Sequence, residues 1–157
     1  MKTLSLATAA LAGLLCAGAA SASVTVTFDH PEHYFDMPRM QSDRDRILEE
    51  IDHHFAHLAA KLPADQNLKV EVLDVQLAGR INPRNDVRVL RGKADWPSMH
   101  LRYSLESNGK VLRSGDETIS DMTYMNHLNR YDRSENLRYE KQMIDDWFKR
   151  DIAAPAG

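Results

Sequence analysis

The chain of 157 residues contains a single cysteine, Cys16, which lies in an apolar segment near the N-terminus. If that segment is removed, no thiol remains, which excludes disulfide bonds, thiolate metal ligands and cysteine nucleophiles from the rest of the chain. Long apolar runs are also missing beyond residue 22, where no stretch reaches the roughly 20 residues that a membrane-spanning helix needs. We therefore expect a fold held together by an ordinary hydrophobic core.

The chain also lacks a strong excess of one charge and the glycine patterns of common catalytic loops. Twenty Lys and Arg stand against 23 Asp and Glu, giving a formal net charge of −3. This balance gives no general reason to expect a nucleic-acid partner. The seven glycines are scattered, and neither a Gly-x-Ser-x-Gly elbow nor a phosphate-binding Gly-rich loop is present.

The first residues have the pattern of a secretory signal. Lys2 supplies the positive start, residues 4–15 are apolar or small, and Ala20-Ser21-Ala22 has small residues at the −3 and −1 positions of a cleavage site. Leu15 precedes Cys16 where lipidation prefers a small residue, so we interpret Cys16 as part of the apolar run. The pattern predicts a signal peptide over 1–22, a periplasmic or secreted domain over 23–152 and a flexible tail over 153–157.

The first half of this domain is predicted to contain two strands and a helix. Val24–Phe28 alternates apolar and polar residues as a strand does, and Ser42 is a plausible N-cap for a helix to about Leu62. The next strand, Leu68–Leu77, changes the phase of its apolar residues at Val72-Leu73, which indicates either a bulge or burial on both sides. A short strand at Val87–Leu90 follows.

The second half is predicted to contain a hairpin and a final helix. The alternation from Met99 to Leu105 ends at Asn108-Gly109, the preferred pair for a type I′ turn. A two-residue turn predicts that Ser104 faces Arg113 and that His100 faces Glu117. A helix from Ser134, as its cap, to about Ile152 completes a single two-layer α+β domain of order β-α-β-(β)-β-β-α, with a mainly antiparallel sheet and both helices on one face.

Four segments resemble a bacterial exported family known only as a domain of unknown function, the DUF3016 family. They are residues 28–36 (FDHPEHYFD), 74–79 (DVQLAG), 95–105 (DWPSMHLRYSL) and 137–148 (LRYEKQMIDDWF). The family pattern has a second Asp where this chain has Gln76, which counts against a role that needs two acids in that strand. The resemblance implies an exported single-domain protein and carries over no reaction, substrate or cofactor.

Seven histidines raise the possibility of a metal site. His53 and His57 are four residues apart, so they share a helical face with Glu49 and could chelate Zn²⁺ or Cu²⁺. That face lies opposite the predicted core stripe of Ile51, Phe55 and Leu58, and a solvated polar face explains the same pattern. The loop from His30 to His33 is the other candidate for metal binding, and no cofactor is expected.

Acidic residues raise the possibility of a small hydrolase. Asp29, His33, Tyr34 and Asp36 lie in one loop, where paired carboxylates could divide acid and base roles; capping of backbone amides explains the same acids. Asp74 lies within an apolar strand, where a carboxylate needs hydrogen bonds or a cation. It is interpreted either as structural, paired with a loop amide or Arg80, or as part of a site.

The leading hypothesis is a non-catalytic binding or accessory domain of the cell envelope. Its candidate contact surfaces are the solvated sheet face and the basic segment, residues 80–93, with Trp96 as an anchor. The cations of this segment are Arg80, Arg84, Arg88, Arg91 and Lys93. The partner would be an envelope protein or an anionic envelope component. The alternative is that these arginines pair with the acid-rich first helix.

Overall fold

Four of the six strands form the main sheet. A computed structural model describes residues 21–85 and 87–154. It contains strands β1 (Ser23–Phe28), β2 (Gln66–Gln76), β3 (Arg80–Ile81), β4 (Arg88–Val89), β5 (Ser98–Ser107) and β6 (Lys110–Ser120), with helices α1 (Gln41–Leu58) and α2 (Arg138–Trp147). The sheet order is β1-β2-β5-β6, and β3 and β4 form a separate two-stranded ladder. Only the β1–β2 pair is parallel, so the predicted α+β class with a mainly antiparallel sheet is confirmed.

Strand β2 contains the bulge that its apolar pattern indicates. Its pairing with β5 shifts between Val72 and Asp74, which leaves Leu73 as the extra residue. Side chains before and after the bulge can then face the same side although their positions differ in parity. Val72 and Val75 are both fully buried in the core.

The β5–β6 hairpin has the predicted turn but a different register. Asn108 and Gly109 have φ angles of 50° and 77°, as a type I′ turn requires. A second bulge follows, because Glu106 pairs with Val111 whereas Leu105 pairs with Arg113. The extra residue is Leu112.

This second bulge makes the predicted cross-strand pairs wrong by one residue. Ser104 lies opposite Ser114 and not Arg113, and His100 lies opposite Thr118 and not Glu117. Glu117 therefore shares the inner face of the sheet, where its Oε1 accepts a hydrogen bond from Trp147 Nε1 at 2.9 Å.

Helix α1 begins one residue before the predicted cap. Met40 occupies the N-cap position without a side-chain capping bond, and the Arg44 amide donates to its carbonyl at 3.1 Å to close the first turn. Ser42 is therefore inside the helix and is not the cap. The helix ends at Leu58 and a 3₁₀ turn, Ala59–Lys61, continues it.

Helix α2 begins later than predicted. Ser134 lies in a turn, where its amide and hydroxyl donate to Asp132 Oδ1. Asp132 therefore caps this turn, and Ser134 does not cap the helix. The left-handed residue Leu137, with a φ of 51°, precedes the first helical residue. A π-helix, Phe148–Ile152, continues α2.

The core lies between the helices and the inner face of the sheet. The aromatic ring of Trp147 packs edge-to-face against Phe55 from α1 and Tyr103 from β5. The outer face of the sheet carries exposed polar residues such as Lys69 and Arg102. The predicted signal peptide lies outside the described residues except for Ser21 and Ala22, and so do the last three residues of the predicted tail. Within the described residues, no helix combines the length and the apolar character needed to cross a membrane.

Candidate binding surface

Three loops meet at one end of the sheet. Strands β1 and β2 are parallel and both end there, β5 runs antiparallel to β2 and begins there, and β6 ends there. The loops are residues 29–40, 77–97 and 121–137, and we call this surface the loop end. Eight of the nine candidate contact residues singled out from the sequence lie in two of these loops, and Asp74 lies in β2. The eight are Asp29, His33, Tyr34, Asp36, Arg80, Arg84, Arg88 and Trp96.

The first loop is held by the bulged region of β2. The backbone carbonyl of Val72 accepts bonds from the Asp29 amide at 2.9 Å and from the Tyr34 hydroxyl at 2.6 Å. Burial is the main cause that raises the pKa of Tyr34 above its ordinary range. Asp74 Oδ1 accepts a bond from the Phe35 amide at 2.9 Å. Tyr34 and Asp74 therefore fix the loop, and Asp74 contacts the loop amide that was one of its predicted partners.

Arg88 joins the first loop to the second. Its Nη1 lies 2.8 Å from Asp36 Oδ2 and donates to the carbonyls of Gly79 at 3.1 Å and Ala78 at 3.4 Å. Both charged side chains are largely removed from solvent, with 25% of Arg88 and 12% of Asp36 exposed. The ion pair therefore connects the two loops, and the charges of Arg88 and Asp36 are used for this structural contact.

The second loop is closed by the buried residue Asp95. Its carboxylate accepts bonds from the backbone amides of Arg91 at 2.6 Å and Lys93 at 2.8 Å. Burial raises the pKa of Asp95, but these bonds and one from the Tyr124 hydroxyl outweigh it, so the pKa is below the ordinary value. Since Gly92 also donates its amide to Tyr124 at 3.2 Å, the second and third loops are joined.

Trp96 and Arg80 have structural contacts in the same loop. The carbonyl of Trp96 accepts a bond from Gln76 Nε2 at 2.7 Å, and its side chain is half-buried. Arg80 donates from Nη2 to the Ala94 carbonyl at 3.1 Å and lies over the ring of Phe35, 5.6 Å from its centroid.

Exposed apolar side chains concentrate at the loop end. Of the ten large hydrophobic residues that are exposed in the described part of the chain, eight belong to the three loops, and Val111 and Leu112 lie at the opposite end of the sheet. Leu128 is 90% exposed and Phe35 is 74% exposed. The other six are Met40, Ile81, Val87, Leu90, Met122 and Met125. Such clustering is typical of a contact surface.

The basic segment lies within the same surface. Arg84, Arg91 and Lys93 are exposed, and among the residues that the structure describes none of them forms an ion pair. The alternative, pairing of the arginines with acids of α1, is not found among the described residues, where the ion pair that this segment forms joins Arg88 to Asp36. The loop contacts hold the basic segment in place, and the side chains of Arg84, Arg91 and Lys93 remain exposed to solvent.

The outer sheet face is open, as predicted, but its charges are paired with one another. It forms a shallow depression of about 640 Å³. Lys69 lies 2.9 Å from Glu106, and Arg102 lies 2.6 Å from Glu71 and 3.2 Å from Asp116. The face therefore has little net charge, in contrast to the basic segment.

The histidine pair of α1 has no third metal ligand among the described residues. His53 and His57 are exposed, and the only group of three potential ligands found in residues 21–85 and 87–154 is His30, Glu32 and His33.

A buried polar network beside this pair was not predicted. His54 Nε2 lies 3.0 Å from Asp145 Oδ1, and the Tyr131 hydroxyl donates to Asp145 Oδ2 at 2.8 Å. The three residues line a cavity of about 380 Å³ between α1 and α2. The available signal was that His54 falls inside the apolar stripe formed by Ile51 and Phe55, where a polar side chain needs a partner.

The acids proposed for a hydrolase have separate surroundings. Asp36 pairs with Arg88 and Asp74 accepts a loop amide, whereas Asp29 is exposed beside His30. Two of the three carboxylates are therefore occupied by structural contacts.

Comparison with known proteins gives the family and nothing finer. No curated protein and no solved structure matches the chain. The model of one family, described as a protein of unknown function (DUF3016), matches residues 22–150. This range contains all six strands and both helices, α1 and α2. The chain therefore belongs to the DUF3016 family.

Proposed function

We propose that this protein is an exported, non-catalytic binding domain of the cell envelope whose loop end docks on anionic lipid headgroups. The observation that carries the proposal is that exposed apolar side chains on the three loops lie beside exposed cations of the second loop, Arg84, Arg91 and Lys93, which form no ion pair with any residue that the structure describes. The export part rests on the signal pattern of residues 1–22.

A lipid surface accounts for both classes of side chain. Apolar side chains enter the boundary between headgroups and acyl chains, and each Lys or Arg near an anionic surface contributes about 1 kcal/mol. Leu128 and Phe35 supply apolar area, and Arg84, Arg91 and Lys93 supply positive charge. Docking in this way needs no deep pocket.

An acidic protein partner fits the same charges less well. The core of a protein interface is depleted in charged residues and packs as densely as a protein interior. At the loop end the exposed apolar side chains are divided among three loops and alternate with cations, as at Ile81, Arg84 and Val87. A fluid lipid surface can adapt to such a divided pattern.

The test is sedimentation with vesicles, using protein recovered from the periplasmic extract and checked by intact mass. Vesicles of equal parts phosphatidylglycerol and phosphatidylcholine are expected to bind the wild type, and binding should weaken as salt increases. The double variant Arg84→Glu/Arg91→Glu removes two favourable cations, so its partition coefficient should fall about 30-fold or more.

The matched control is Lys110→Glu/Lys149→Glu, which changes the net charge equally. Both lysines are exposed and lie away from the three loops, so this variant should retain most of the binding. Equal losses in the two variants would contradict docking through the loop end. Failure of the wild type to sediment with anionic vesicles would overturn the lipid proposal, and an acidic protein captured only by the wild type would replace it. Recovery of an uncleaved precursor in the cytoplasm would contradict export.

A further inference from the structure

The turn that follows β1 brings three potential metal ligands together. One nitrogen from each of His30 and His33 and a carboxylate oxygen of Glu32 lie within 4.8 Å of one another. The rings of His30 and His33 are stacked, with centroids 5.8 Å apart and planes inclined by 25°. All three side chains are exposed, so an ion would reach them directly from solvent.

The backbone explains why the two imidazoles are neighbours. Residues Pro31–His33 form a 3₁₀ turn, in which positions three apart are nearly eclipsed. The His33 amide donates to the His30 carbonyl at 2.9 Å, which closes this turn. His30 has a left-handed φ of 48°, uncommon for a residue with a side chain, and Pro31 fixes the next φ.

The turn is also anchored on both sides, which limits its freedom. The Asp29 amide and the Tyr34 hydroxyl both donate to the Val72 carbonyl, at 2.9 Å and 2.6 Å. The three ligands therefore lie between two fixed points of the chain. Preorganisation of this kind lowers the entropic cost of binding.

The ligand set is suited to a transition metal. Two imidazoles and one carboxylate bind Zn²⁺ with bonds of about 2.0–2.2 Å, and the fourth position is then available to water. His30 Nδ1 already lies 3.3 Å from Glu32 Oε1, about the separation of two ligands around one ion. Asp29 Oδ1 lies 3.7 Å from His30 Nε2, beyond hydrogen-bond distance, so Asp29 places a negative charge beside the ligands, which favours a cation.

We propose that His30, Glu32 and His33 form a surface site for one divalent transition-metal ion, with Zn²⁺ as the representative. Asp29 is a neighbouring charge and is not itself a ligand. The proposal is independent of lipid docking, because the site is complete within one turn and is tested without vesicles.

The test is isothermal titration of tag-free protein with zinc chloride at neutral pH. The wild type should bind one Zn²⁺ per chain, and His33→Ala should lower the affinity at least about tenfold, because even orienting residues contribute 10–100-fold. His57→Ala is the matched control: His57 is equally exposed and belongs to a histidine pair that lacks a third ligand among residues 21–85 and 87–154. This variant should bind as the wild type does.

NMR spectra provide a second measurement that does not depend on affinity alone. Zinc should shift the imidazole signals of His30 and His33 together and leave those of His53 and His57 unchanged. Circular dichroism identical to the wild type confirms that His33→Ala is folded, as expected for an exposed side chain. Wild-type affinity in His33→Ala, loss of binding in His57→Ala, or no heat of binding in the wild type would each overturn the proposal.

Discussion

Replacing Asp145 with Asn tests whether the buried network between α1 and α2 stabilises the fold. The Asp145 carboxylate accepts bonds from His54 Nε2 and the Tyr131 hydroxyl, and the cations of Lys61 and Arg130 each lie 3.8 Å away. Only 13% of the Asp145 side chain is exposed. The substitution keeps the shape of the side chain and removes its charge.

The expected cost follows from the bonds that are lost or weakened. A hydrogen bond to a charged group contributes about 1.5–3 kcal/mol, compared with about 1 kcal/mol for a neutral pair. Asn keeps one carbonyl oxygen for Tyr131 or His54, so we expect Asp145→Asn to lower the free energy of unfolding by about 2 kcal/mol. With a urea slope of about 2 kcal/mol per M, the unfolding midpoint should fall by about 1 M.

The pH dependence supplies a second signature of the same contacts. Burial raises the pKa of Asp145, but the hydrogen bonds from His54 and Tyr131 outweigh it, so the pKa in the folded protein is below the ordinary value. A carboxyl group with a lowered pKa stabilises the folded state above its unfolded pKa, and this contribution is lost as the pH falls through the folded pKa. The stability gap between wild type and Asp145→Asn should therefore shrink as the pH falls below about 4.

Asp146→Asn is the control, because it is the same substitution at the next position of the same helix. Asp146 is half exposed and pairs with Arg130 at 2.8 Å, and an exposed ion pair contributes about 0–1 kcal/mol. Urea unfolding followed by tryptophan fluorescence measures both variants. Equal midpoints for Asp145→Asn and Asp146→Asn at neutral pH, or a gap that persists undiminished in acid, would refute the reasoning.

Two further substitutions test the core. In Gly115→Ala, the new Cβ would lie 2.7 Å from Tyr103 Cε1, so thermal unfolding followed by circular dichroism should show a loss of about 1–3 kcal/mol; an unchanged melting temperature would contradict this contact. Burial raises the pKa of Glu140, which accepts a hydrogen bond from the Ala78 amide at 2.6 Å. The contribution of Glu140 to stability should therefore decrease as the pH rises from the ordinary Glu pKa toward the raised value, so the urea stability of the wild type should fall relative to that of Glu140→Gln, which keeps an acceptor and has no charge. Parallel profiles for the two proteins would rule the effect out.

Local patterns predicted the four strands of the main sheet and both helices, but they missed the short strand β3, the bulge of β6 and the start of α2. The change of apolar phase at Val72-Leu73 indicated the bulge of β2, and Asn108-Gly109 predicted the turn. The bulge at Leu112 was missed because β6 has no clear alternation there to interrupt. Ser134 has the side chain of a cap, but its hydroxyl bonds to Asp132 in a turn, and sequence does not distinguish the two uses.

The candidate surfaces were predictable in part, since their residues could be found but their partners could not. The basic segment was evident from composition, whereas the contact of Arg88 with Asp36 joins positions 52 residues apart. The His54–Asp145 pair is separated by 91 residues. Contacts of this kind depend on how the loops and helices pack, which no local pattern encodes.

The bulge of β2 has a consequence for which side chains reach the core, since the extra residue resets the alternation along that strand. With Leu73 as the extra residue, Val72 and Val75 both lie on the inner face, where they are fully buried. An extra residue two positions earlier, at Glu71, would turn Val72 to the outer face and bring Leu73 inward. The apolar residues of β2 therefore select the position of the bulge, which is a property of this strand and not of its regular partner β5.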